Sequence, residues 1–334
     1  MLSSASRTST PLLCVAIQLT TFTCGALIIS LAVAMALASV LIAPHFHVHG
    51  TGVIVVTGAS SGIGEDAASA IAALTSYTVF AGVRSRVDAG RLAALYPRLR
   101  TVFLDVTSGD SIAAAVDYVQ NASGGLPIVA LVNNAGVQSD LPIELQTSAA
   151  DRDTFDVNVF GLLDTTRAFL PHLRQAGRGS RIVNVGSLSG RVATAGSATY
   201  SASKFAVEGL TDSLRREVRP FGISVSLLEP GYVQSQMGAK LHTPTAVASH
   251  YGVSAAGYAL YRHVFDGFFA MDLRNTLPEN SKPPSATTTP DILHALTSPT
   301  PKTRYTSAAA DGLPAWFIAL AARLLPDRLM DLLQ

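Results

Sequence analysis

The sequence predicts an α/β protein with a doubly wound parallel sheet, a Rossmann-type fold in one catalytic domain that follows an N-terminal transmembrane helix. Three observations carry this. Short, wholly apolar runs alternate with helical patterns from Val53 to Leu228, as strands buried on both faces require. A glycine-rich turn, Thr57 to Gly64, separates the first strand from the first helix. Between Arg7 and Glu65 the chain has no charged residue.

The elements follow in order. Val53–Thr57 reads as a strand, Gly62–Leu74 as an alanine-rich helix, Thr78–Val83 as the second strand and Val102–Val106 as the third. A helix is expected over about Ser111–Gln120, then a strand over Ile128–Asn133, helix around Arg152–Arg174 and strand over Arg181–Val185. Tyr200–Val218 reads as helix and Ile223–Leu228 as strand. From Gln236 to Thr289 the order breaks down. Tyr251, Tyr258, Tyr261, Phe265, Phe268 and Phe269 crowd a segment that suits either a lid over an apolar substrate or ordinary core packing. The apolar C-terminal segment, 315–334, must end or kink at Pro326.

Within the first 50 residues, Cys24–Ile42 is apolar and close to the roughly 20 residues that a bilayer core requires of a helix. It reads as a membrane signal-anchor. A cleaved signal peptide and an organellar transit peptide are the alternatives. His45, His47 and His49 read as a juxtamembrane polar collar rather than a metal site, since no acid or thiol lies nearby.

The chain of 334 residues is 48% hydrophobic and 14% charged, with net charge +1. That composition argues against extended disorder and against the concentrated basic face of a nucleic-acid binder. Cys14 and Cys24 both lie in the apolar stretch, so the remainder offers neither a disulfide framework nor a thiolate metal site.

The chemistry concentrates in three motifs. Thr57-Gly58-Ala59-Ser60-Ser61-Gly62-Ile63-Gly64 lets backbone approach a pyrophosphate at a helix N-terminus. Asn133-Asn134-Ala135-Gly136 closes the fourth strand, where short amides brace loops or bind a ribose. Tyr200-Ser201-Ala202-Ser203-Lys204 places a phenol and an ammonium at i and i+4 on one helix face, with Ser187 and Asn158 upstream. A neighbouring ammonium and a positively charged nicotinamide favour phenolate, so the expectation is a lowered Tyr200 pKa.

From about Gly52 to Pro230 the chain resembles the short-chain dehydrogenase/reductase family, and within it the membrane-bound retinol, hydroxysteroid and hydroxybutyrate dehydrogenases. The resemblance implies that Tyr200 is the general acid/base and that Lys204 lowers its pKa and holds the nicotinamide ribose. Ser187 then orients the substrate oxygen, and Asn158 supports a water-linked proton relay. It also implies cofactor contacts from Gly58, Ser60, Ser61, Gly62, Ile63, Gly64, Asp105, Val106, Asn134, Ala135, Gly136, Pro230, Gly231 and Val233, with Tyr200 and Lys204 shared. Gly186 departs from the family, which often has Ser there, and Ser235 stands where Thr is commoner. No metal is called for.

Arg84, with no carboxylate before Asp88, favours NADP(H), with NAD(H) the alternative. The expected activity interconverts a lipophilic alcohol and its ketone or aldehyde, retinoid- or steroid-like. The alternatives are a membrane-bound 3-ketoacyl or 3-ketosphingoid reductase and, outside enzymes, an NADP(H)-sensing scaffold. The endoplasmic reticulum membrane is the expected location, and a homodimer is left open.

Overall fold

The computed structural model describes residues 30, 44–234, 252–277, 280 and 282–330. Seven strands form one parallel sheet in the order β3-β2-β1-β4-β5-β6-β7. They are β1 (Val53–Val56), β2 (Thr78–Val83), β3 (Leu99–Phe103), β4 (Ile128–Asn133), β5 (Arg181–Val185), β6 (Ser224–Pro230) and β7 (Arg304–Ser307). Strand order reverses between β1 and β4, so their carboxyl ends flank the crevice where this architecture binds ligands.

Helices cover both faces. The first face is packed by α1 (Gly62–Leu74) and α2 (Arg86–Leu95), through Ala67, Ile71 and Leu92 against Ile54, Val79 and Val132. The other carries α3 (Gly109–Ala122), which buries Ile112, Val116 and Val119 against Val53, Phe80 and Leu131. The helix expected around Arg152–Arg174 is two helices, α4 (Ser148–Phe155) and α5 (Gly161–Ala176), joined by a single π-turn, Asp156–Phe160. Such a turn widens the helix locally and redirects the side chains it carries, here Asn158. Next comes α6 (Ala198–Val218).

The third strand lies earlier than expected, at Leu99–Phe103 instead of Val102–Val106. It is an edge strand paired only with β2, and its exposed Arg100 and Phe103 interrupt the apolar run. Beyond β6, where the strand–helix alternation breaks down, the described residues form α7 (Ala255–Leu260) and α8 (Arg262–Thr276), and then α9 (Thr288–Thr297) returns to pack on α1. After β7, β8 (Ala309–Ala310) and β9 (Leu313–Pro314) form a hairpin whose turn residues, Asp311 and Gly312, both take positive φ. That is the geometry of a two-residue turn matching strand twist. The C-terminal segment is α10 (Ala315–Leu324), ended before Pro326, and the short α11 (Asp327–Met330).

The histidine stretch is tied to the domain through its backbone. The backbone of His47 lies beside the start of β5 and accepts from Arg181 Nη2 at 2.9 Å; Ser298 accepts from the same nitrogen at 3.1 Å. The Phe46 ring sits 5.3 Å from that guanidinium, and burial pushes it down to about 10. The apolar segment Cys24–Ile42 lies outside the described residues. Among the described residues no helix is long and apolar enough to cross a membrane.

Candidate active site

The crevice is built on four strand ends. At the end of β1 the chain turns through Gly58 at φ +61° and Gly62 at φ +57°, a conformation costly for any residue with a Cβ. Gly58 also has no room for one, because it would lie 2.6 Å from Ala135 Cα. The glycine loop and the Asn-Asn-Ala-Gly loop therefore lie backbone on backbone. Thr57 Oγ1 accepts from the N–H groups of Asn134 (3.0 Å) and Ala135 (2.9 Å), and Asn134 Nδ2 donates to the carbonyls of Thr57 and Gly58, both at 3.0 Å. Asn134 is thus a brace. Asn133 points into the core, donating to Thr166 (2.8 Å) and to Asn184 (2.9 Å), which donates to Thr211 in turn.

Gly64 does not reach the cleft. A Cβ there would strike the Asn134 amide nitrogen and lie 2.5 Å from the Gly58 carbonyl oxygen. Gly64→Ala is expected to cost about 1–3 kcal/mol through overpacking, and to weaken dinucleotide binding by displacing the loop. Denaturant midpoints and cofactor titration read the two effects, and an unchanged pair would show that the loop contact is dispensable.

Ser187 closes β5, half-buried, its hydroxyl accepting from the Ser189 N–H at 3.1 Å. It also hydrogen-bonds the Tyr200 phenol. On α6, Lys204 is buried one turn beyond Tyr200, with Nζ 5.7 Å from the phenol ring centre and donating to the Val185 carbonyl at 3.1 Å. Burial pushes the Tyr200 phenol up to about 12, against the Ser187 hydrogen bond and with the charge of Asp140 adding to it. Burial also pushes the Lys204 ammonium down to about 8. The expected lowering of Tyr200 by Lys204 is therefore reversed in the protein alone. Desolvation penalises both charged forms and is the largest cause of each shift.

Asn158 is buried behind this pair and does not line the cleft. The π-turn aims its amide at Val137, whose N–H it accepts at 2.8 Å and whose carbonyl it donates to at 2.9 Å, and at Ser203 Oγ (2.9 Å). Ser203 was not singled out in the sequence, although it directly precedes Lys204. Asp105 also stands back from the cleft wall. Its carboxylate accepts from the Thr107 N–H (3.0 Å) and hydroxyl (2.7 Å). Burial raises its pKa, and the two Thr107 bonds with the charge of Arg84 more than offset that, so it stays below the usual carboxylate range.

One cavity of about 1240 Å³ joins these parts. Gly58, Ser60, Ser61, Gly62 and Ile63 line one region, with Arg84, Val106, Asn134, Ala135 and Gly136. Ser187, Tyr200, Lys204, Pro230, Gly231 and Val233 line it too. The rest is largely apolar, with Phe268 and Met271 from α8 and Phe317 and Ile318 from α10, beside His263, Arg274 and Asn275. Among the described residues the aromatic segment divides between core packing and cavity lining. Phe265 is core, stacked 4.9 Å from Tyr258 and packed on Leu141, whereas Phe268 faces the cavity. Tyr251 and Ser235 lie outside the described residues.

A helix N-terminus whose Ser61 makes no side-chain cap, approached by glycines at positive φ, fits a dinucleotide pyrophosphate. Comparison with known proteins agrees. Residues 52–246 match the short chain dehydrogenase family. The chain belongs to that family. It is 35% identical to bovine 17-beta-hydroxysteroid dehydrogenase type 6 over 83% of this chain and 86% of that protein. It is 35% identical to rat retinol dehydrogenase 16 over 71% and 73% respectively. Among solved structures, a short-chain dehydrogenase from Streptomyces avermitilis superposes with a TM-score of 0.63 at 29% identity, covering 85% of this chain and 95% of that one. An actinorhodin polyketide ketoreductase, solved with NADPH, has the same fold at a TM-score of 0.63 and 24% identity, over 77% and 96%. This short-chain dehydrogenase/reductase is accordingly an oxidoreductase of CH–OH groups, related to steroid and retinol dehydrogenases, in a fold that binds NAD(P).

Proposed function

We propose that the protein interconverts a lipophilic alcohol, retinoid- or steroid-like, and its ketone or aldehyde with NADP(H). The observation that carries this is a single cavity lined by the glycine loop, by Ser187, Tyr200 and Lys204, and by an apolar wall from α8 and α10. NADP(H), when bound, supplies or accepts the hydride. In the reducing direction Tyr200 gives its phenolic proton to the substrate oxygen, which the Ser187 hydroxyl holds by a hydrogen bond. Lys204 fixes the Tyr200 ring face and offers its ammonium protons to a ribose hydroxyl. Asn158 holds the Val137 backbone and Ser203, and so the spacing of α6 from the β4 loop. A screen of retinoids, steroids and 3-ketoacyl compounds with both cofactors, read at the nicotinamide absorbance, tests the assignment. Turnover confined to 3-ketoacyl substrates would replace it.

Arg84 supports the choice of NADP(H): it is exposed on the cavity rim, directly after β2. Arg84→Ala is expected to weaken NADP(H) about tenfold relative to NAD(H), the loss of one exposed charge-assisted contact to a 2′-phosphate. An unchanged ratio of dissociation constants would remove Arg84 from selectivity.

The apolar stretch Cys24–Ile42 supports a single-pass anchor, with the endoplasmic reticulum as the proposed membrane. The full chain should stay in the membrane pellet through alkaline carbonate extraction, and its release would refute the anchor.

A further inference from the structure

One peptide of the glycine loop is held from outside the cleft. Gly58 and Gly62, both at positive φ, give this loop wide conformational freedom, so its peptide planes need tethers. Asn134 Nδ2 holds the Thr57 and Gly58 carbonyls, and the Ala59 N–H donates to the Gly82 carbonyl at 2.9 Å. The Ser60 carbonyl is held from α2, where Arg91 Nη2 donates to it at 2.5 Å. The same guanidinium grips Glu65 on α1, with Nη1 2.8 Å from Oε1 and Nη2 2.9 Å from Oε2. The Tyr96 hydroxyl donates to Glu65 Oε1 at 3.1 Å and completes the clip.

Ser60 and Ser61 line the cavity and Arg91 does not. Its hold on the Ser60 carbonyl therefore draws that oxygen away from the cleft. In a planar trans peptide the carbonyl and the N–H that follows point in opposite directions. The Ser61 N–H, which donates to nothing among the described residues, is thereby turned toward the cleft. It stands at the N-terminus of α1, where this fold receives the pyrophosphate of a dinucleotide.

We propose that Arg91 is a positioning residue for the cofactor: its grip on the Ser60 carbonyl aims the Ser61 N–H at the pyrophosphate. The inference rests on the reading of the glycine loop as a dinucleotide site and is independent of which alcohol is turned over. Glu65 offers a competing account of the same clip. Its carboxylate lies in the first turn of α1, beside the place for an anion, and Arg91 also neutralises it. Position and charge must therefore be separated.

The full chain is titrated with NADP(H), NAD(H) and ADP-ribose, which share the pyrophosphate, and with adenosine 2′-monophosphate, which lacks it. Arg91→Met should weaken the first three about tenfold each, as for one misdirected hydrogen bond to a charged group, and leave the fourth unchanged. The Arg91 side chain is 39% exposed, so the denaturant midpoint should move little. Turnover at saturating cofactor should keep the parent kcat, because Ser187, Tyr200 and Lys204 lie on other elements. In a chain that also carries Glu65→Gln, the loss on Arg91→Met should persist.

Affinity that recovers in the double variant would reduce Arg91 to a counter-charge for Glu65 and overturn the proposal. Unchanged affinity in Arg91→Met overturns it too. A loss confined to NADP(H) and adenosine 2′-monophosphate would place Arg91 on the 2′-phosphate, with the same consequence. A fall in all four affinities together with the denaturant midpoint would show that the clip only stabilises α2. A parent chain that binds none of the dinucleotides would instead sink the cofactor reading itself, a result distinct from the others.

Discussion

Replacing Tyr200 by Phe is expected to lower kcat by about 10²- to 10⁴-fold, the range by which positioned acid/base groups accelerate proton transfer. Cofactor dissociation constants should hardly move. Phe keeps the ring that Lys204 Nζ faces at 5.7 Å and deletes only the hydroxyl that Ser187 hydrogen-bonds, so folding and the dinucleotide half of the cavity stay as they are. Single-turnover measurements with each cofactor, together with direct cofactor titration, separate the two effects. Activity that survives the change would transfer the proton to another group, and lost cofactor binding would make Tyr200 structural.

The pH dependence has a sign. Burial pushes the phenol up to about 12, so Tyr200 is protonated across the neutral range and ready to donate. Reduction should therefore be flat around neutrality, whereas alcohol oxidation, which needs the deprotonated phenol, should rise with pH. An oxidation rate independent of pH would contradict Tyr200 as the acceptor.

The sheet was legible because parallel strands buried on both faces read as unbroken apolar runs. Thr78–Val83, Ile128–Asn133 and Arg181–Val185 fall on their expected bounds for that reason. Edge strands lack it. β3 slid by three residues, and Arg304–Ser307 escaped notice because only Tyr305 and Ser307 are buried along it. The hairpin after β7 carried a signal, Asp311-Gly312, in a stretch to which the sequence reading assigned no element.

The candidate site divides in the same way. Motif and spacing led to Ser187, Tyr200 and Lys204, which the fold brings into one cavity. Asn158, Asp105 and Gly64 carry their motif positions too, yet they stand behind the wall, bracing backbone. Whether a motif residue faces the ligand or supports a neighbour that does depends on local geometry such as the π-turn, which leaves no mark in residue spacing.

Behind Ser187 and Lys204 lies a buried ionic cluster, and breaking it should have the largest effect on stability. Arg191, just past Ser187, donates through Nε (2.9 Å) and Nη2 (2.8 Å) to Glu229 Oε1, and its Nη2 lies 3.4 Å from Glu208. Glu229 directly precedes Pro230, and Glu208 follows Lys204 by one helical turn. From β7, Arg304 reaches Glu208 at 3.2 Å and Asp212 at 2.9 Å. Arg191→Met leaves Glu229, 1% exposed, without its main partner. Removing one member of a buried pair costs about 3–5 kcal/mol, so the unfolding midpoint should fall steeply.

Glu208→Gln should behave in the opposite way. Burial pushes Glu208 up to about 7 and the charge of Glu229 adds to it, with Arg191 and Arg304 offsetting only part. A folded-state pKa above the ordinary carboxylate value means that the folded protein holds the extra proton. The resulting stability is present at lower pH and is lost as pH rises through about 7. Gln copies the protonated carboxyl, so this variant should lose the decline seen in the parent as pH rises from the ordinary carboxylate value of 4.5 to about 7. Denaturant midpoints measured across that range decide it: an equal slope in parent and variant would exclude Glu208 as the titrating group.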